Sequence, residues 1–180
     1  MKTIVRETRE TRVEIGLAPG GARVSSETGE PFLDHMMATL AFYAGLDLVL
    51  KARGDLKHHL VEDVALATGE ALARILPERA HRYGECTLPM DDALVQVALD
   101  LGGRPAYEGP LPSALYDHWM RSFAMQARAT LHVRVIRGRD RHHVVEAGFK
   151  ALGLSLRAAL TGSGKLFSTK GGVQWGEGEC

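Results

Sequence analysis

Cysteine is nearly missing from this chain. Its two cysteines, Cys86 and Cys180, stand far apart in 180 residues, and neither belongs to a CxxC-type pair. That argues against a thiolate-built structural zinc site and fits a reducing compartment, so a cytoplasmic location is expected. Net charge is missing too: 22 basic and 22 acidic side chains cancel, leaving no global field to draw in nucleic acid or an anionic membrane. No apolar run approaches the roughly 20 residues of a membrane span. The charged start MKTIVRETRETRVEI lacks the apolar core of a secretory signal. The expected partner is therefore a small molecule. With 45% hydrophobic and 24% charged residues, the chain has the balance of a globular protein with one well-buried core, or of two small halves sharing one.

What the chain does have is repetition. Shifted by 84 residues, HHLVEDVALATGEALAR from His58 falls on HHVVEAGFKALGLSLRA from His142, matching both histidines, Val61 with Val145, Glu62 with Glu146 and Gly69 with Gly153. At an offset of 83, Asp34-His35 falls on Asp117-His118, each with a methionine two residues further on; at 82, EIGLAPGG falls on QVALDLGG. Three consecutive blocks in register indicate two structural repeats. In each, alternating segments (RVEIGL, LVQVALDL) read as strands and the following GG as a turn. The Asp-His block opens a helical pattern, a β-rich stretch follows, and the HHxxE block opens a second helix. The expected fold class is α+β: two duplicated β,β,α,β,α halves with helices packed on mixed β-sheets. The expected division is 1–85 for the first repeat, 86–171 for the second and 172–180 for a flexible tail.

Six of the eight histidines lie in the repeated blocks: His35, His58, His59, His118, His142 and His143. One HHxxE would be an ordinary helix start with a chance histidine pair. Two copies, each trailing an Asp-His block by about the same distance, are not. His81 and His132 lie outside the repeats and read as structural. On a helix, His58 and Glu62 share a face while His59 points about 100° away; His142, Glu146 and His143 repeat this. Six imidazoles and two carboxylates suit two divalent metal sites, each helix giving its four-apart pair to one metal and its other histidine to the second. Nitrogen-rich mixed ligation accommodates Mn, Fe, Co or Zn.

The motifs PFLDHMM, HHLVEDVALATGEAL, RYGECTLPMDDAL, LDLGGRP, HHVVEAGFKALG and STKG, spread over residues 31 to 171, closely resemble the imidazoleglycerol-phosphate dehydratase family of histidine biosynthesis. The resemblance implies a duplicated fold, a homo-oligomer of 24 copies and two Mn²⁺ per subunit. It assigns His35, His59, His142 and Glu146 to one metal, and His58, Glu62, His118 and His143 to the other. It makes Glu10 a substrate-contacting acid, and matches Arg82, Arg104, Lys150, Ser168, Thr169 and Lys170 to phosphate and diol contacts. Arginine, lysine and hydroxyl donors together are what a phosphate monoester needs.

The chain departs from the family pattern in three places. The segment between GDL and the first histidine pair is three residues shorter and lacks a customary Asp, Leu60 replaces a common Thr, and the stretch from Arg104 to His118 is about ten residues shorter. Every metal-ligand type is retained.

The implied reaction converts imidazole glycerol phosphate to imidazole acetol phosphate and water. The departing proton sits on an unactivated carbon. Once the substrate imidazole is ionised, it can expel the neighbouring hydroxyl, and the adjacent C–H becomes acidic enough for a carboxylate to take; Glu10 is the expected acid/base. Two rivals use the same ligands. A binuclear phosphoesterase would lean more on Asp and bridging carboxylates, and a metal-storage protein would leave Arg82, Arg104, Lys150 and Lys170 unexplained.

Overall fold

The alternation in TRVEIGLAP sends Val13, Ile15 and Leu17 to one side, and all three are buried. In the antiparallel register they face Ala52, Leu50 and Leu48, so one apolar row lines the inner face of a sheet. The second half repeats this with Val95, Val97 and Leu99 opposite Val135, Val133 and Leu131.

The computed structural model describes residues 1–162. The first half runs β1 (Thr3–Glu7), β2 (Thr11–Pro19), β3 (Val24–Glu27), α1 (Pro31–Ala44), β4 (Leu46–Gly54) and α2 (Lys57–Ile75). The second runs β5 (Tyr83–Met90), β6 (Ala93–Asp100), β7 (Ala106–Glu108), α3 (Ala114–Gln126), β8 (Thr130–Arg137) and α4 (Arg141–Ala159). The repeated β,β,α,β,α order and the mixed sheets are as expected, with one addition. Each half carries a short third strand, β3 or β7, paired in parallel with the strand that follows its first helix. At four and three residues, VSSE and AYE are too short to show an alternating pattern. The two sheets have matching orders, β1-β2-β4-β3 and β5-β6-β8-β7. The expected tail, 172–180, and the end of the second repeat lie outside the described residues.

Helices α1 and α2 cover the first sheet, α4 covers β5 and β6, and α3 packs on β7; α1 lies against α4 and α2 against α3. The helices thus form the middle of the molecule, and the halves interlock crosswise. Trp119, Phe123 and Phe149 fill this centre, Trp119 lying 4.7 Å from the Phe149 ring and 5.3 Å from that of Phe123.

Two glycines matched by the duplication set the helix contacts. A Cβ on Gly69 of α2 would come within 2.8 Å of Phe123 O and Ala127 N; one on Gly153 of α4 would sit 2.9 Å from Leu40 O and 2.7 Å from Tyr43 Cβ. Both contacts meet main chain or the root of a side chain, which cannot swing aside. Gly153→Ala and Gly69→Ala are each expected to destabilise the metal-free protein by about 1–3 kcal/mol, read as a lowered denaturant midpoint with an unchanged slope. Wild-type midpoints would show that the helices part without cost.

Candidate metal centres

All four helices begin at the same end of the molecule. Lys57 Nζ reaches Glu30 Oε2 at 2.5 Å, tying the start of α2 to that of α1. The Phe32 ring lies 5.0 Å from Tyr116 and 5.1 Å from His142, tying α1 to α3 and α4. The aspartates of the repeated Asp-His blocks act as staples. Asp34 accepts hydrogen bonds from Ser26 Oγ (2.6 Å) and Thr28 N (2.9 Å), and Asp117 from Tyr107 Oη (2.5 Å) and Leu111 N (2.8 Å). Each fixes a helix start, and with it the next residue, His35 or His118.

Two matched clusters result. In the first, His35 Nε2 and His142 Nε2 lie 3.4 and 3.1 Å from the same oxygen, Glu146 Oε2. In the second, His118 Nε2 and His58 Nε2 lie 3.4 and 3.9 Å from Glu62 Oε2. Within each cluster one nitrogen or oxygen from every member lies within 4.8 Å of the others. Each cluster draws one histidine from the first helix of one half and the four-apart pair from the second helix of the other. Two imidazole nitrogens aimed at one carboxylate oxygen form half of a coordination shell. His118 Nε2 is buried and has no hydrogen-bond partner. A divalent cation would satisfy that atom, and the donor set fits one in each cluster.

The clusters are not identical. Glu146 has 9% side-chain exposure and its second oxygen binds Lys150 Nζ at 2.9 Å. Burial opposes its ionisation, but the Lys150 and His35 hydrogen bonds outweigh this and hold its pKa below the usual value. Glu62 is 37% exposed, and the position matching Lys150 is Leu66.

His59 and His143 do not enter either cluster of their own chain. His59 Nδ1 bonds Asp55 Oδ1 at 2.9 Å, with Glu10 Oε2 3.6 Å away. His143 Nδ1 bonds Asp92 Oδ1 at 2.7 Å, and Asp91 Oδ2 lies 3.6 Å from its Nε2. These hydrogen bonds raise the pKa of both histidines and lower those of Asp55 and Asp92; two backbone amides, of Arg139 and Asp140, lower Asp92 further. Sequence reasoning missed all three aspartates. The signal was present for one: at the 82-residue offset Asp92 falls on Glu10. It also passed over Asp63, buried behind Glu62, which accepts from Arg6 Nη2 (2.8 Å) and Thr11 Oγ1 and so locks β1 and β2 to α2.

The expected anion-binding residues divide. Lys150 stands beside Glu146. Arg82 stands at the other end of α4, where its amide binds Ala159 O, while its side chain binds Asp100 (2.9 Å) and Leu101 O (2.8 Å). Ala159 is roughly 20 Å along the helix from Glu146, at about 1.5 Å per residue. Leu101 N binds Arg82 O, and Arg104 lies three residues on, its own carbonyl held by Thr130 Oγ1. The two arginines therefore share an edge remote from the clusters of the same chain. Ser168, Thr169 and Lys170 lie outside the described residues.

A family model described as imidazoleglycerol-phosphate dehydratase matches residues 28–156. The Pyrobaculum calidifontis protein of that name is 48% identical, covering 92% of this chain and 96% of its own; that of Solidesulfovibrio magneticus is 44% identical, covering 93% and 95%. The crystal structure of the Pyrococcus furiosus enzyme in complex with (S)-C348 superposes with a TM-score of 0.85 at 38% identity, covering 94% of this chain and 100% of that one. The Staphylococcus aureus enzyme gives 0.79 at 30%, covering 91% and 100%. These matches place the chain among the hydro-lyases, enzymes that remove water from a substrate. It belongs to the imidazoleglycerol-phosphate dehydratase family, which serves histidine biosynthesis. Among the described residues no helix is long and apolar enough to cross a membrane.

The unequal surroundings of the two glutamates give a test without metal. Glu146→Gln removes a buried charge from Lys150 and is expected to cost about 1.5–3 kcal/mol in the metal-free protein. Glu62→Gln, on a more open side chain, is expected to stay within about 0.5 kcal/mol of wild type. Equal losses in a denaturant titration would remove the asymmetry.

Proposed function

We propose that this chain converts D-erythro-imidazole glycerol phosphate to imidazole acetol phosphate and water at a two-metal site, with two divalent ions per chain, Mn²⁺ being the ion the family resemblance implies. The observation that carries this reading is the pair of His/His/Glu clusters, one of which holds a buried imidazole nitrogen that makes no hydrogen bond. The residues proposed to hold one ion are His35, His142 and Glu146, with His59; those for the other are His58, His118 and Glu62, with His143. Because His59 and His143 turn away from the clusters of their own chain, we assign them to clusters of neighbouring copies. The separation of Arg82 and Arg104 from Glu146 supports the same arrangement: a phosphate near one chain's clusters would meet a neighbour's arginines. The proposed assembly is a homo-oligomer, of 24 copies by the family resemblance.

Bound there, the ions would supply Lewis acidity that favours the anionic form of the substrate imidazole. The chain's own groups do the rest. Glu10, exposed beside His59, takes the carbon-bound proton; the hydroxyl on the carbon next to the ring leaves and departs as water, and the enol formed becomes the ketone. Arg82, Arg104 and Lys170 hold the phosphate, while Lys150, Ser168 and Thr169 contribute phosphate and diol contacts. A biosynthetic enzyme of this kind is proposed to work in the cytoplasm, where the Cys86 thiol, free among the described residues, stays reduced.

Metal-loaded protein given imidazole glycerol phosphate is expected to form the ketone without releasing inorganic phosphate. Phosphate release would replace this reading with a phosphoesterase, and no turnover by folded, metal-loaded protein would refute it. Glu10→Gln is expected to retain metal while kcat falls about 10²–10⁴-fold. Lys170→Ala is expected to raise KM by about 10–100-fold, the equivalent of about 1.5–3 kcal/mol for a charge-assisted phosphate contact. A near-normal kcat or an unchanged KM would move the respective role to another residue.

A further inference from the structure

The duplication makes Glu10 and Asp92 counterparts, since an offset of 82 residues lays one on the other. Each sits in the connection between the first two strands of its half, β1–β2 or β5–β6. Each faces Nδ1 of the second histidine in its half's HHxxE helix, yet only Asp92 bonds it: Asp92 Oδ1 to His143 is 2.7 Å, whereas Glu10 Oε2 to His59 is 3.6 Å. The difference is a third carboxylate. In the first half, Asp55 takes His59 Nδ1 at 2.9 Å. The position matching Asp55 at the 84-residue offset is Arg139, and in that half the hairpin acid does the work instead. Asp55 can reach because the GDL segment runs almost directly into α2; its carboxylate also binds Leu56 N at 2.6 Å, and its amide binds Glu10 O at 3.1 Å.

We propose that Asp55 and Asp92 are positioning residues that keep the proton of His59 and His143 on Nδ1 and leave Nε2 free as the ligand atom, and that Asp55, by taking this duty in the first half, releases Glu10 to act on substrate. The proposal rests on His59 and His143 being metal ligands, as read above. A neutral imidazole has one N–H, and a carboxylate can only accept, so the proton goes to the nitrogen facing the carboxylate. The exposed Asp91 carboxylate, 3.6 Å from His143 Nε2, makes no hydrogen bond there and leaves that atom available. The pseudo-symmetric halves thus differ in chemistry: one hairpin acid is committed to a histidine and its counterpart is not.

Asp92→Asn separates this role from a structural one. Asp92 Oδ2 accepts from Arg139 N (2.6 Å) and Asp140 N (3.2 Å). In the variant the amide oxygen can keep those bonds while the NH2 faces His143. That forces Nδ1 to accept and moves the proton to Nε2, the wrong tautomer for a ligand. The experiment records imidazole ¹⁵N spectra of the metal-free full-length protein, at a pH where both rings are neutral, together with Mn²⁺ titrations against a competing chelator.

Wild type is expected to show His143 protonated on Nδ1. Asp92→Asn should show it protonated on Nε2, with Mn²⁺ affinity about 10–100-fold lower and an unchanged unfolding midpoint. Glu10→Gln should bind Mn²⁺ as wild type does. So should Asp140→Asn, which keeps the cap on His142 N and controls for the loss of one negative charge. If Asp92→Asn does not fold, Asp55→Ala carries the test on His59. Asp55 Oδ1 takes both Leu56 N and His59 Nδ1, so removing the side chain, rather than amidating it, is what takes the acceptor from Nδ1, and a mixed His59 tautomer with weaker Mn²⁺ binding is expected. Wild-type tautomer and affinity in the aspartate variants, or an equal loss in Glu10→Gln, would overturn the proposal while leaving the ligand reading intact. A wild-type protein that binds no Mn²⁺ would overturn the ligand reading itself.

Discussion

Two imidazole nitrogens converging on one glutamate oxygen, repeated at the second pair of helix starts, is the arrangement around which the rest of the structure is organised. It is unfavourable by itself. Three polar groups crowd together at each cluster, and the buried His118 Nε2, which makes no hydrogen bond, forfeits those it had in water. The fold holds it in place through Asp34 and Asp117, which staple the loops to the first helices, and through Gly69 and Gly153, which let the crossed helices touch. Neither half can build a cluster alone, because each cluster takes one histidine from the other half. The duplication is therefore a requirement of the site as much as a trace of history.

Much of this was legible in the sequence because it is periodic. The 82–84-residue offsets revealed the two halves, and 3.6-residue spacing showed which histidine shares a face with which glutamate. The pairing of His35 with His142 and Glu146, and of His118 with His58 and Glu62, came from the family resemblance rather than from spacing; the structure brings these trios together, but not His59 or His143, which the resemblance had added to them. The third strands were not legible, because VSSE and AYE are held by pairing to β4 and β8 rather than by any pattern of their own. The roles of Asp55 and Asp92 were equally hidden. They depend on where a loop and a hairpin turn end in space, which local spacing does not encode.

The arginines carry a different lesson. Arg82 and Arg104 are close to each other and far from Glu146, at opposite ends of a 19-residue helix. On the proposed reading, the end of a single chain that would hold cations and the edge that would hold an anion are too far apart to grip one small phosphorylated molecule. His59 and His143 show the same incompleteness from the metal side, held by aspartates away from the clusters they would complete. Both features find one explanation in a site made by several copies of the chain, with the metal ions as links between them.

That explanation makes assembly depend on metal, because a ligand bound only by the associated state shifts association by mass action. The most direct test is the mass of the Mn²⁺-loaded full-length protein by light scattering, measured as loaded, after chelation, and after Mn²⁺ is restored. The account predicts a large particle that breaks into smaller ones as metal is lost and re-forms when it returns. A particle of unchanged mass with no metal left in it would contradict the account.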